Sequence, residues 1–427
     1  MTPLSPRSAL RRFLALTVLR WVTPGLMFPV FVLLPLSRGL TLSQLGLAFG
    51  VQGLVVFALE LPTGGLADAV GRRWVLVVSA VVALASIGLF LVADSFALFA
   101  VVFALHGVYR ALDSGPLEAW YVDTVHATDP EAPIEKGLSA HGTVLGLAIA
   151  GGSLASGALI ALEPLPGVDP LIVPVLLALV IQTIGLIAMA VLMREPRRAT
   201  GWRGLARSAM DTPRTIAEGF GLLKRSRVLL ALVAVELFWG FGMVTFEGLM
   251  PVRLSEVAGG TQAAAAITGP VVAVAWLASA GGSALTPLLG RWFGIAPTAA
   301  LMRILQGLAV AAMGLAAGVV GIIVAYIACN TVHGTSGAAH MTLLHRQAVS
   351  SVRATVVSLN SWVAQPAGAI GVIALTALAD ATSVSTAMLV GAVVLAAAAP
   401  LYLPAWRQSR GSPEPVSPAP ATLEKLS

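Results

Sequence analysis

The chain has 427 residues, of which 57% are hydrophobic and only 11% are charged. Soluble domains carry about 25% charged residues, so this composition excludes an ordinary soluble protein and predicts a chain solvated mostly by lipid. The formal net charge is +6, but most Lys and Arg fall on one predicted side of the membrane, and only Arg38 and Arg253 fall on the other. Because this asymmetry follows the positive-inside rule, we expect no nucleic-acid partner.

Twelve apolar stretches are each long enough to cross a bilayer, which takes about 20 residues. We predict an all-α membrane protein with twelve transmembrane helices in two pseudo-symmetric six-helix bundles. The halves cover residues 1–193 and 228–404, with a basic cytoplasmic linker at 194–227 and a disordered cytoplasmic tail at 405–427. The predicted spans are 12–36, 42–63, 74–93, 96–122, 137–162, 171–193, 228–250, 263–289, 297–317, 318–343, 355–378 and 383–403.

The first span carries Arg20 together with several prolines, which favours a bent helix lining a cavity. Two placements of Arg20 are equally compatible with the sequence: it snorkels to the cytoplasmic surface, or it faces a polar cavity.

A charged, glycine-rich stretch, Gly-Gly-Leu-Ala-Asp-Ala-Val-Gly-Arg-Arg at residues 64–73, lies between spans two and three. Asp68 and Arg72 are four residues apart, so they can face each other across one helical turn. The stretch resembles the G-x-L-a-D-x-x-G-R-[KR] signature of the major facilitator superfamily. Every defining position is filled: Gly64, Leu66, Asp68, Gly71, Arg72 and Arg73.

This resemblance implies two six-helix halves that expose a central cavity to each side of the membrane in turn. In the family, the acid and first Arg of the motif join an acid at the cytoplasmic end of span four in a charge relay. By motif position these residues are Asp68, Arg72 and Asp123. Together with the start of span eleven, around 352–355, the relay holds the cytoplasmic side shut.

Span four is the most polar span. On a continuous helix its polar residues share one face, which must turn away from lipid: Arg110, Asp113, Ser114, Glu118 and Tyr121. We expect Arg110 and Asp113 to form an ion pair across one turn. The segment from Arg110 to Gly115 resembles the superfamily pattern R-x-x-x-G, whose Arg takes part in proton coupling.

Span five contains Gly142, Gly146 and the pair Gly151-Gly152. Small residues on one helix face allow close helix packing. The run resembles the G-x-x-x-G-P-x-x-G-G motif of the superfamily's drug/proton antiporters, with Leu147 in place of the proline.

Span seven places Glu236, Trp239, Met243 and Glu247 on one stripe. We expect Glu236 near the middle of the membrane and Glu247 near its outer end. Span ten carries His333 and His340, which about 10 Å of helix separates, too far for both to bind one ion. We therefore predict no metal site.

An internal repeat supports two related halves. Leu66, Gly71 and Arg72 match Leu285, Gly290 and Arg291 at one constant offset, so we predict a short loop between spans eight and nine at Gly290 and Arg291.

A buried carboxylate that changes protonation as access alternates is the simplest device for proton coupling. The candidates, in order, are Glu236, Asp113 and Glu118, with Arg110 as the family's coupling residue. The alternative is that each acid is permanently paired with a basic residue. His333 and His340 are further candidates, although polar histidines in a span more often pack in the core.

Candidate cavity residues are mainly aromatic or sulfur-containing, with a few polar groups, which favours an apolar or amphipathic cargo: Arg20, Phe28, Trp239, Met243, Glu247, His333 and Trp362. We expect a monomeric, proton-driven exporter of hydrophobic drugs or secondary metabolites in a bacterial inner membrane, with both termini cytoplasmic. The alternative is an importer of a small metabolite. The sequence offers no nucleophile motif, Walker A loop or appended soluble domain, so we expect no enzymatic activity and no cofactor.

Overall fold

The computed structural model describes residues 4–195, 221, 223, 226–347 and 353–411, except for a few side chains that include those of Asp68 and 353–355. These residues form helices and no strands. Twelve spans, each one helix or two consecutive helices, are long and apolar enough to cross a membrane, so the chain is a multi-pass membrane protein. Most of the predicted linker and residues 412–427 of the predicted tail lie outside the described residues.

The first half contains α1 to α7 and the second half contains α8 to α15. The helices of the first half are α1 Pro6–Ser37, α2 Leu42–Val70, α3 Arg72–Val92, α4 Phe96–Asp113, α5 Pro116–His126, α6 Glu135–Leu162 and α7 Val173–Leu192. Those of the second half are α8 Arg227–Glu247, α9 Leu249–Val257, α10 Thr261–Phe293, α11 Ile295–Leu315, α12 Val319–Gln347, α13 Arg353–Ala381, α14 Val384–Ala397 and α15 Leu403–Gly411, with a 3-10 turn at Ala399–Tyr402. We call the end where the linker joins α7 to α8 the linker end, and the other the far end.

Two of the predicted spans are broken helices. Span four divides into α4 and α5 because Gly115 adopts a left-handed conformation, with φ of 90°, and Pro116 then starts a new helix without needing a backbone N–H. Span seven divides at Gly248 and continues to Val257, beyond its predicted end at 250.

The glycine-rich stretch between spans two and three is almost entirely helical, so the two spans are not joined by a loop of several residues. Helix α2 continues to Val70, and Gly71 alone, with φ of 103°, separates it from α3. The corresponding turn of the second half lies at Gly294, with φ of 87°, and not at Gly290 and Arg291 as predicted, because α10 continues to Phe293. The glycines at the two turns have the same kind of backbone conformation, so the halves are related. The offset in residue number between these two turns is longer than the offset between the repeated residues of the sequence analysis.

The prediction of a disordered tail from residue 405 is wrong for residues 405–411. Helix α15 continues to Gly411, and the buried Ala405 in its first turn and the buried Tyr402 just before it anchor the helix. The guanidinium of Arg410 lies 4.5 Å from the Trp406 ring centre, a cation–π contact that favours this helix.

The halves meet mainly along two helix pairs, α2 with α13 and α6 with α10. Gly157 of α6 lies against the backbone of α10 at Gly269, an approach that leaves no room for a side chain. The hydrogen bonds between the halves, within the described residues, lie at the far end. The Asp380 carboxylate accepts from the backbone N–H groups of Leu42, at 3.2 Å, and Ser43, at 2.7 Å. The Gln262 amide donates to Glu163 at 2.5 Å.

The two arginines at the far end both cap helix C-termini. Arg38 donates to the carbonyls of Phe90, Leu91 and Ala93 at the end of α3, at 2.6 to 3.0 Å. Arg253 donates to the Ala316 carbonyl at the end of α11, at 2.8 Å. Cations favour the negative end of the helix dipole. Each half therefore uses one arginine to cap a helix C-terminus at the far end. This role explains why Arg38 and Arg253 depart from the one-sided distribution of positive charge.

We expect Arg38→Gln to lower the stability of the folded protein by about 2 kcal/mol, because carbonyls at the end of α3 lose charged hydrogen bonds. Thermal unfolding in detergent, followed by tryptophan fluorescence, should give a lower Tm than wild type. The matched control is Arg7→Gln, since the exposed Arg7 makes no hydrogen bond to a helix end. Equal Tm values for the two variants would contradict the capping role.

Candidate functional site

The first half contains a buried ion pair between α1 and the end of α4. The Arg20 Nε donates to the Asp113 carboxylate at 2.5 Å, and its Nη2 donates to the Asp113 carbonyl at 2.5 Å. Both residues are buried, so Arg20 does not snorkel to the surface. The predicted pair of Arg110 with Asp113 is wrong, because α4 ends at Asp113 and turns this carboxylate toward α1.

Glu118 of α5 extends this cluster toward α6. Its carboxylate lies 3.0 Å from the His141 Nε2 and 3.7 Å from the Arg20 Nη1. The other His141 nitrogen is 2.9 Å from the Thr17 hydroxyl, and the imidazole stacks on Phe13. Sequence reasoning missed His141, although a histidine within the glycine-rich span five was a visible signal.

The second half buries its own charged cluster, at the linker-end half of α8, α11, α12 and α13. The Glu236 carboxylate lies 3.2 Å from the His340 Nε2, and the other His340 nitrogen is 3.0 Å from the Tyr402 hydroxyl. The Asn360 amide oxygen lies 3.2 Å from the same Nε2. Arg303 is fully buried, and its positive charge acts on Glu236.

Glu236 is therefore buried and in contact with a histidine from another helix. Arg303 and Asn360 were missed because neither shares a helix with Glu236. The charged Arg303 inside the apolar span nine was the available signal. Burying an arginine in a bilayer without a counter-charge is costly, so an acid from another helix had to lie nearby.

His333 lies apart from His340 and pairs differently. Its Nδ1 is 3.3 Å from the Gln306 amide nitrogen, and its ring stacks on Trp239 with ring centres 5.8 Å apart. Among the described residues, no three His, Cys, Asp or Glu side chains converge as a metal site would require.

Three further charged residues make no direct hydrogen bond or ion pair through their side chains within the part of the chain that the structure describes. Arg110 and Glu247 are exposed, and Glu60 of α2 is half-buried. The charge of Arg110 acts on both Glu60 and Glu247. Since α4 belongs to one half and α8 to the other, the effect of Arg110 on Glu247 acts between the two halves. Glu247 lies deeper than predicted, because its span continues through α9.

The motif between α2 and α3 lies at the linker end. The Arg72 guanidinium pairs with the Asp123 carboxylate at 2.7 Å, and Arg73 donates to the Ala190 carbonyl at 2.5 Å. The side chain of Asp68 and the start of span eleven lie outside the described residues. Glu195, which sequence reasoning missed, accepts from the backbone N–H groups of Arg72 and Arg73, both at 3.2 Å.

The predicted apolar cavity residues fall in different places. Trp239 and Met243 lie half-buried on the same stripe of α8 as Glu247. Trp362 stacks on Phe57 with ring centres 4.5 Å apart, which joins α13 to α2 and hence one half to the other. Phe28 is half-buried against the core of α1.

Several solved structures that are similar to this chain are of transporters. The nucleoside transporter NupG aligns with a TM-score of 0.75 at 11% identity, covering 93% of this chain and 99% of its own. A bacterial homologue of the human lysosomal transporter Spinster, inward-facing and unoccupied, gives a TM-score of 0.70 at 16% identity, covering 97% and 99%. A structure described as proton dependent oligopeptide transporter gives 0.66 at 11% identity, covering 94% and 99%. Such identities establish the fold alone.

No curated protein sequence matches the chain. The family model described as Major Facilitator Superfamily matches residues 13–372, which include ten of the twelve spans and most of the eleventh. This match and the transporter neighbours indicate a transporter rather than an enzyme. The chain belongs to the Major Facilitator Superfamily.

Proposed function

We propose that this protein is a secondary active transporter that exports hydrophobic drugs or secondary metabolites in exchange for protons. The observation that carries the proposal is the pairing of one carboxylate with one imidazole in each half, Glu118 with His141 and Glu236 with His340. A proton can reside on either member of such a pair, so each half has a place to take up and release one proton.

Alternating access fits the distribution of contacts between the halves. Hydrogen bonds join them at the far end in the described residues. Opening that end requires Asp380 to leave the N-terminus of α2 and Gln262 to leave Glu163. These are few, partly exposed contacts, which a carrier can break and re-form in each cycle.

The cytoplasmic gate is assigned to the linker end. Its helix ends carry many Arg and Lys residues, and positive charge favours the cytoplasmic side. This orientation places both termini in the cytoplasm, in keeping with a monomer in a bacterial inner membrane. The ion pair of Arg72 with Asp123 lies at the same end and supports the gating role that the motif has in the family.

Among the candidate proton carriers, the buried surroundings favour Glu236 and Glu118 over Asp113. Asp113 is paired at 2.5 Å with Arg20, which keeps its positive charge throughout the physiological pH range. Glu236 and Glu118 each lie within 3.2 Å of an imidazole nitrogen, a group that can either hold a proton or accept a hydrogen bond.

The test of the function is flux in proteoliposomes with an imposed pH gradient and a panel of hydrophobic dyes. Proton influx should drive dye out against its gradient. Glu236→Gln should abolish this uphill movement but keep downhill exchange, because the variant binds cargo and no longer releases a proton. The exposed Glu131→Gln serves as control and should behave as wild type. Accumulation of a polar metabolite in the same direction as protons, without dye movement, would instead support the importer.

A second prediction concerns the gate. We expect Asp68→Asn and Asp123→Asn each to insert normally but to cut flux at least about tenfold, because Arg72 loses a counter-charge at the linker end. The control is Asp129→Asn, an exposed acid after α5. Initial transport rates at equal membrane expression provide the measurement. Wild-type rates in both gate variants would remove this assignment.

A further inference from the structure

An apolar groove of about 600 Å³ lies between α11 and α14, near the linker end of the second half. Both helices pack on other helices of this half. Val393 exposes 70% of its surface and Ile304 exposes 42%, so this side of a membrane protein meets the acyl chains of the bilayer. We call it the outer groove. Its lining side chains are all apolar and include Ala300 and Ile304 of α11, Val393 and Ala397 of α14, Pro400 of the 3-10 turn and Leu403 of α15.

The groove exists because the two helices separate toward the linker end. They touch where Gly307 of α11 meets the Ala392 carbonyl, an approach that leaves no room for a side chain. Beyond this contact α14 ends, and the chain enters the 3-10 turn at Ala399–Tyr402, where Pro400 has no N–H to continue the helical hydrogen bonds. Small alanine side chains on the walls leave the gap unfilled.

Helix α15 continues the groove as a positively charged rim. Arg407 and Arg410 follow Leu403 by four and seven residues, so all three lie on one face of the helix. Both arginines are exposed, and neither forms an ion pair in the part of the chain that the structure describes. The sequences of α11, α14 and α15 contain no Asp or Glu. The rim is therefore uncompensated positive charge next to an apolar groove.

The rim lies at the depth of lipid headgroups. Val384 to Leu403 is about 20 residues, or about 30 Å of helix, which matches the hydrocarbon thickness of a bilayer. Arg407 and Arg410 lie about 6 and 10 Å further along α15, beyond the acyl chains. Trp406 lies between them, and tryptophan is enriched at this interface.

We propose that the outer groove and its rim bind one anionic phospholipid, with an acyl chain along the groove and the phosphate held by Arg407 and Arg410. Guanidinium groups bind phosphate through paired, charged hydrogen bonds. A free phosphate would leave the apolar groove uncovered. A second copy of the chain on the same face would bring two like-charged rims together. The site lies outside the transport path and does not depend on the proposed function.

Native mass spectrometry of the full chain in detergent, titrated with phosphatidylglycerol or phosphatidylcholine, measures the affinity for the first bound lipid. Wild type should bind phosphatidylglycerol at least about tenfold more tightly than phosphatidylcholine. The double variant Arg407→Gln/Arg410→Gln should lose most of this preference, because it lacks both charges near the phosphate. Ala397→Phe should weaken binding of both lipids, because its ring fills the groove.

Two controls match these variants. Arg7→Gln/Arg11→Gln removes the same charge from exposed positions of α1, and Ala312→Phe adds the same bulk at an exposed alanine of α11 outside the groove. Both should bind phosphatidylglycerol as wild type does, and size-exclusion profiles and Tm values verify folding. Wild-type affinity in the folded α15 variant or in folded Ala397→Phe would overturn the proposal. An equal loss in the α1 control would also overturn it, since it would show only general attraction of anionic lipid to basic residues.

Discussion

The ion pair of Arg20 with Asp113 shows the constraint on which the rest of the structure depends: a charge inside a bilayer must have a partner or face water. The bilayer supplies neither a partner nor water, so the helices must be arranged to bring one or the other to each charge. This requirement explains why α4 ends where it does. Its last residue turns to Arg20, and the Gly-Pro step that follows lets Glu118 face His141 from a separate helix.

The same constraint sorts the charges of the spans into two classes. Clusters around Asp113 and Glu236 are buried within one half each, so they move with that half as a rigid unit. Arg110 of the first half and Glu247 of the second half are exposed, so movement of one half against the other changes their surroundings. A carrier needs both kinds of site: enclosed groups that keep each half intact, and exposed groups that respond to cargo.

Much of the fold was predictable because it depends on local signals. Twelve long apolar stretches specify twelve spans, and the filled motif between α2 and α3 specifies the family. Helix breaks were less predictable, although Gly115-Pro116 was visible. The predicted pair of Asp113 with Arg110 was wrong because spacing along α4 cannot show that Arg20 of α1 competes for the same carboxylate.

The partners of the candidate site could not be predicted because they come from other helices. Glu236 meets His340, Asn360 and Arg303 from three different spans, and no spacing along α8 encodes these contacts. Glu60 was likewise overlooked, since its significance depends on the proximity of Arg110. The sequence identified nearly all acids inside the spans, whereas the tertiary fold decides which are paired.

The central claim is that two halves joined at the far end move against each other during transport. Double electron–electron resonance can test it with spin labels on Gly39 and Thr382 at the far end and on Thr128 and Arg346 at the linker end. A saturating concentration of a transported hydrophobic dye should lengthen the first distance and shorten the second in a fraction of molecules. Two distances that stay fixed, or that change in the same direction, would contradict the account.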